Sequence, residues 1–170
     1  GPKVCHTSGR ELPIAFRAWV AAQRHMGFEM DPRELSPSDK TKLKNITSWW
    51  KENRQWMKDA SILRLPCIDK SIIAEIQINT DADHFVVFAG QNSTSNFSTP
   101  VPLVLAGLDP ECMYNIFLRN KDEVNSLGKS EFGISQKTLE LSGYFLMNHG
   151  LRLPKAFPAS MFVIEGDKAA

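Results

Sequence analysis

The sequence has few cysteines, almost no net charge and no long hydrophobic run. Its three cysteines, Cys5, Cys67 and Cys112, lack CxxC spacing, so we predict reduced or buried thiols instead of a disulfide framework. A formal net charge of +1 gives no electrostatic basis for binding nucleic acid. No apolar run approaches the ~20 residues that span a bilayer, and no signal peptide is visible. We therefore expect no nucleic-acid or membrane partner and favour a cytoplasmic location.

Groups that bind metals or act as nucleophiles are also scarce. The histidines lie in separate segments without ligand spacing, which predicts no metal site and no cofactor; they are His6, His25, His84 and His149. Cys5 and His6 are adjacent, and neighbouring residues seldom present their side chains to each other, so they do not predict a nucleophile–base pair.

Two acidic pairs, Glu29 with Asp31 and Asp81 with Asp83, are candidates for paired-carboxylate chemistry. Such a pair needs one carboxyl group with a raised pKa in a protected cleft. Both pairs lie in segments with turn composition, where short acidic side chains cap helices and close turns. We therefore interpret them as turn residues and predict no catalytic residue in this chain.

The hydrophobic content of 42% is typical of a globular protein, and its periodicity is helical up to about residue 60. A first helix is predicted to begin near Leu12 and to end at Gly27, because glycine suits the position after a last turn. A second begins with Ser36 as its cap. Its tryptophans are predicted to pack against a neighbouring helix, and a lysine stripe on the other side to face solvent: Lys40, Lys44, Lys51 and Lys58.

From Ile62 onward the pattern changes to short apolar or alternating runs between turn residues, which indicates β-strands. The predicted strands are 72–79, 84–89, 101–105, 113–118, 138–141 and 161–164. No helix of convincing length follows residue 60, so an antiparallel sandwich fits better than parallel βαβ units. We predict an α+β chain with a helical segment at 3–60 docked on an antiparallel β-sandwich at 61–166.

Several segments, taken in order, resemble glycoside hydrolase family 36, the α-galactosidases. The first is a His-x-x-Gly-Arg string at His6 to Arg10, followed by Pro13 and Arg17. The segment from Gly27 to Leu35 resembles the Gly-Phe/Tyr-Glu-Leu-Asp string before the last helix of the family's catalytic barrel. Further resemblance to the family's carboxy-terminal domain lies at 81–91, 105–110 with Tyr114, and 141–151.

This resemblance implies a parent enzyme that cleaves α-galactosides with retention of configuration, using one aspartate as nucleophile and another as acid. The family's nucleophile lies in a Lys-Trp-Asp string, which does not occur here. The chain is therefore interpreted as a carboxy-terminal fragment that supports the barrel and is non-catalytic by itself. The rest of that barrel is its expected partner, and homo-oligomer contacts are possible. His6 and Arg10 are candidates for the far wall of the sugar pocket, although Val4-Cys5 replaces the family's usual Pro-Asn; an ion pair is the favoured interpretation of Arg10.

Two alternatives stay open at this point. The chain could be a free-standing carbohydrate-binding or accessory module that uses exposed aromatic side chains, with these candidates: Phe85, Phe88, Phe97, Tyr114 and Tyr144. It could instead be one half of a split galactosidase whose other half is a separate polypeptide.

Overall fold

The computed structural model describes residues 1–124, 126–127 and 133–169, in two units, Gly1–Gln55 and Trp56–Ala170. The predicted β domain at 61–166 thus includes residues 125 and 128–132, which lie outside the described part. The predicted boundary between residues 60 and 61, and the docking of the helices on the β domain, stay predictions.

The first unit is helical, as its periodicity indicates. Helix α1 spans Ile14–Ala22, a 3₁₀ helix spans Pro32–Glu34, and helix α2 spans Pro37–Lys58, whose last three residues belong to the second unit. The rings of Trp19 and Trp49 pack edge to face, with centroids 5.0 Å apart. This contact confirms that tryptophan packing joins the two helices.

The prediction that the first helix ends on Gly27 is wrong, because α1 ends at Ala22. Beyond it the Arg24 amide bonds back to the Ala21 carbonyl, and the Arg24 carbonyl accepts a 2.9 Å hydrogen bond from the Trp50 indole. The indole thus satisfies a carbonyl outside the helix. Gly27 has no left-handed backbone of the kind that ends helices.

Helix α2 begins as predicted. The Ser36 hydroxyl accepts a 3.1 Å hydrogen bond from the Asp39 amide, which satisfies one of the free N–H groups of the first turn. Leu43, Ile46 and Trp49 are buried. The lysines of the predicted stripe are all exposed: Lys40, Lys44, Lys51 and Lys58.

The described part of the second unit contains six antiparallel strands. They are β1 Ser61–Leu65, β2 Ile72–Ile78, β3 His84–Gln91, β4 Met113–Leu118, β5 Leu139–Ser142 and β6 Ser160–Lys168. Their order across the sheet is β1-β2-β3-β6-β4-β5, so the last strand of the chain lies at the centre. In the register of β3 and β6, Phe85 lies opposite Gly166.

The antiparallel β domain with helices is confirmed, but the predicted sandwich is not, because the six described strands form one sheet. Among the described residues, the segment predicted as a strand at 101–105 forms a single β-bridge, between Leu103 and Leu151, and the Leu105 amide donates to the Leu146 carbonyl at 3.0 Å. Pro100 precedes this segment and Pro102 lies within it, and proline cannot donate to a ladder. Non-strand segments therefore supply the other side of this core, through residues that include Leu105, Leu108, Ile134, Leu146, Leu153 and Ala156.

The central strands are buried on both faces. Phe85, Val87 and Ala89 of β3 belong to the main hydrophobic core, while the intervening Val86 and Phe88 are also inaccessible to solvent. Strands buried on both sides show continuous apolar runs instead of alternation, which is the pattern of His84 to Ala89.

The α-helices described after residue 60 are short: α3 spans Gly133–Gln136 and α4 spans Gly143–Asn148. Among the helices described, none combines the length and hydropathy that a membrane crossing requires. All three cysteines are free thiols.

Candidate functional site

The His6–Arg10 string forms a tight loop closed by a bridge between Val4 and Glu11. The Cys5 amide donates to the Arg10 carbonyl at 2.9 Å, and the Gly9 amide donates to the Cys5 carbonyl at 2.8 Å. Gly9 has a positive φ of 67°, a conformation in which glycine carries no steric penalty. This geometry gives the glycine of the string a backbone role.

Arg17 anchors this loop to helix α1. Its Nε donates to the Leu12 carbonyl at 3.1 Å, and another guanidinium nitrogen donates to the Gly1 carbonyl. A salt bridge of 2.9 Å between Lys3 and Glu11 also crosses the base of the loop. The arginine that follows the string therefore positions it.

The loop presents His6 and Arg10 to solvent. Among the residues that the structure describes, Arg10 forms no ion pair, so the favoured interpretation of Arg10 is not realised here. The two side chains lie on one short loop and are free to contact a ligand. Whether they bind sugar stays a prediction.

Cys5 lies at the base of the same loop in a partly exposed position. Hydrogen bonds from the Ser8 hydroxyl and from the Ser8 and Thr7 amides lower the pKa of its thiol, and the Arg10 charge acts in the same direction. His6 is exposed, and no described contact joins it to the thiol.

The Gly27 to Pro37 segment is a structural turn. Asp31 caps the 3₁₀ helix by accepting the Arg33 amide at 2.9 Å, and it pairs with the Arg33 guanidinium at 2.6 Å. The hydrogen bonds from the Arg33 side chain and amide lower the pKa of Asp31. The carboxylate is thus engaged with Arg33, which confirms its turn role, and Glu29 is exposed.

The second acidic pair also lies in a turn. Asn79 joins both ends of it, because its side chain donates to Asp83 at 2.5 Å and accepts the Asp83 and His84 amides at 3.1 Å. The Tyr114 hydroxyl donates to the Ala82 carbonyl at 3.2 Å and accepts the Asp109 amide at 3.1 Å. Tyr114 thereby joins this turn to the Gly-Leu-Asp-Pro segment at residues 107–110.

Three of the five aromatic candidates are not surface groups. Phe85, Phe88 and Tyr114 are at most 1% exposed, which contradicts their use by a carbohydrate-binding module. Phe97 and Tyr144 are exposed. Within the described ranges, no group of three or more acidic, histidine or cysteine side chains is arranged to hold a metal ion.

A cleft that the sequence did not indicate lies in the second unit. We call it the Asp69 cleft; it is lined by residues that include Asp69, Ile72, Thr94, Ser95, Val101 and Lys155. Three segments distant in the sequence converge on it, around residues 69, 95 and 155. No spacing rule detects such a convergence; the only local signal is the polar Asn92–Asn96 loop.

Comparison with known proteins places these motifs in a family. The sequence model of the glycosyl hydrolase family 36 C-terminal domain matches residues 73–168. An Escherichia coli protein named alpha-galactosidase is 26% identical over 99% of this chain and 25% of its own length. A probable alpha-galactosidase C of Aspergillus terreus is 26% identical over 86% of this chain and 17% of its own length. The chain thus spans a quarter or less of these relatives.

Solved structures share the fold. The galactosidase domain of the alpha-galactosidase-sucrose kinase AgaSK superposes with a TM-score of 0.78 at 19% identity, over 96% of this chain and 21% of that one. The family 36 alpha-galactosidase AgaB from Geobacillus stearothermophilus gives 0.76 at 21% identity, over 96% and 20%. With more than half of its residues matched by the family's domain model, the chain belongs to glycosyl hydrolase family 36.

Proposed function

We propose that this chain is the carboxy-terminal part of a retaining α-galactosidase-like glycoside hydrolase, in which it supports the catalytic barrel. The observation that carries the proposal is the family match at 73–168. It is supported by relatives that are named alpha-galactosidases and in which the matched region is a quarter or less of the length. In this proposal, the catalytic carboxylates of such an enzyme lie outside the present chain.

The same proposal makes the chain non-catalytic by itself. Retaining hydrolysis needs two carboxyl groups about 5–5.5 Å apart, one as nucleophile and one as acid. The best acidic candidates here are engaged elsewhere: Asp31 pairs with Arg33, and Asp83 closes a turn with Asn79. Supporting a barrel requires no acid–base pair.

We also propose that His6 and Arg10 line the sugar pocket of the complete enzyme. Their loop is held by Arg17 and by a positive-φ glycine, so two exposed side chains are presented from a fixed backbone. Fixed positioning is what a binding residue requires.

The test compares the chain alone with the same chain joined to the upstream part of its parent reading frame. Hydrolysis of para-nitrophenyl α-D-galactopyranoside is measured for both. The joined protein is expected to release nitrophenol and the chain alone is not. The matched control is the joined protein with the aspartate of its Lys-Trp-Asp string changed to asparagine. Turnover by the chain alone, or an inactive joined protein that is folded, would contradict the proposal.

A further inference from the structure

The Asp69 cleft has a buried, fixed carboxylate in its wall. Asp69 is 7% exposed. Its Oδ1 accepts the Ser71 amide at 2.9 Å and the Ser71 hydroxyl at 2.6 Å, and its Oδ2 accepts the Ser95 hydroxyl at 2.5 Å. A carboxylate has about four acceptor positions, so these three bonds leave one for a ligand.

The network also fixes the orientation and charge of this carboxylate. Gln91 donates to the Ser71 hydroxyl at 2.7 Å. This hydrogen bond fixes the hydroxyl that in turn donates to Asp69. Burial raises the pKa of Asp69, but the hydrogen bonds from Ser71 and Ser95 and the Lys155 charge outweigh burial and lower it. Asp69 is therefore an ionised acceptor at neutral pH.

A donor lies near this acceptor. Lys155 lines the same cleft and is close enough to act electrostatically on Asp69. In the part of the chain that the structure describes, its ammonium group forms no ion pair. The acceptor and the donor thus line the same cleft without a direct ion pair between them in the described part of the chain.

The rest of the cleft combines apolar walls with a hydroxyl. Ile72 and Val101 contribute hydrocarbon surface, and Thr94 contributes an exposed side chain that can donate or accept. The cavity volume is about 70 Å³, several times the roughly 10–15 Å³ that one water needs, and the cleft opens to solvent.

We propose that the Asp69 cleft binds a neutral polyol of monosaccharide size. Neighbouring hydroxyl groups of such a molecule donate to Asp69 and accept from Lys155, while its C–H face packs on Ile72 and Val101. A small anion such as phosphate fits less well, because it meets the Asp69 carboxylate, which has no proton to donate. This inference is independent of the proposed function, since it concerns a site formed entirely within the second unit.

The test is titration of the complete 170-residue chain with D-galactose, followed by amide shifts in two-dimensional NMR. Saturable shifts are expected at Asp69, Thr94, Ser95 and Lys155. The Lys155→Ala variant should weaken binding about tenfold or more, because it removes a charge-assisted hydrogen bond. Lys121→Ala, at an exposed lysine outside the cleft, is the matched control and should bind as the unaltered chain does.

A second variant, Thr94→Val, tests the cleft independently in case Lys155→Ala does not fold. Thr94 is exposed in a loop, and the substitution nearly preserves the shape of its side chain. It should also weaken galactose binding. The proposal is overturned if no saturable shift occurs, if the shifts lie outside the cleft, or if both variants bind galactose normally. Binding of inorganic phosphate in preference to galactose would likewise overturn it. None of these readouts depends on hydrolysis, so they are separate from the test of the enzyme proposal.

Discussion

At the scale of single residues, Gly166 shows how one position can be required by its partner across the sheet. Gly166 lies in β6 opposite Phe85 of β3. A Cβ atom placed on Gly166 would overlap the Phe85 ring, and that ring is completely buried. Gly166 is therefore required for space and not for an unusual backbone angle.

We predict that Gly166→Ala lowers the free energy of unfolding by about 1–3 kcal/mol, because overpacking forces the ring or backbone to shift. Urea denaturation followed by circular dichroism measures the change. Gly90→Ala is the matched control in the same sheet. Its Cβ would meet the flexible Met161 side chain at 3.5 Å, so a change below about 1 kcal/mol is expected. Equal effects of the two variants would refute this explanation.

A pH dependence is predicted from Asp69. Its pKa in the folded chain is lowered from the ordinary value of 3.8, so the unfolded chain binds the proton more tightly. The stabilisation that the ionised Asp69 gives to the folded chain is therefore complete above the unfolded pKa of 3.8. It is lost as the pH falls through the lower pKa of the folded chain.

Asp69→Asn removes this titration, so the stability difference from the unaltered chain should be constant near neutral pH and shrink in acid. Unfolding in urea at a series of pH values measures it. Asp122→Asn, at an exposed position outside the network, is the control and should leave the acid dependence unchanged. A difference that grows in acid would show that the sign is wrong.

At the scale of elements, the junction of β4 and β6 depends on an ion pair. Arg119 follows β4 and makes two hydrogen bonds to Glu165 of β6, at 2.7 and 2.9 Å. The Glu165 side chain is 5% exposed, whereas that of Arg119 is 43% exposed. The carboxylate is thus the buried partner of this ion pair.

We predict that Arg119→Met destabilises the chain by about 3 kcal/mol, because it removes the positive charge and both hydrogen bonds that Arg119 supplies to a buried carboxylate. Adding Glu165→Gln should recover part of that loss, since the buried charge is then absent. Thermal or urea unfolding of the two single variants and the double variant gives the coupling energy. Strictly additive losses would contradict a direct interaction between the two side chains.

At the scale of the whole molecule, the chain presents a fixed loop that the proposed enzyme would use. In the complete parent enzyme, His6→Ala and Arg10→Ala should each lower kcat/KM about tenfold or more, if each loses a hydrogen bond to sugar. The control is Lys44→Ala, on the solvent-exposed stripe of α2. Unchanged kinetics in both loop variants would remove these residues from the site and leave the supporting role of the chain intact.

Much of this molecule was predictable from local pattern. The Ser36 cap, the exposed lysine stripe, and strands β2, β3 and β4 followed from periodicity and turn residues, because these signals act over a few positions. The end of α1 did not follow from them; just beyond it, the Trp50 indole donates to the Arg24 carbonyl. That contact joins residues 26 positions apart, beyond the reach of a local signal.

The sequence alone determined the family, because the order of its motifs can be recognised without knowing which residues they contact. It also predicted helices α1 and α2 and strands β2, β3 and β4, but it placed a strand at 101–105 where the structure has none. The tertiary structure decided that the described strands form one sheet, that Tyr114 is a buried link between two turns, and that Asp69 and Lys155 share a cleft. The physical reason is that pairing, burial and convergence depend on residues far apart in the chain, whereas propensity and periodicity describe only neighbours.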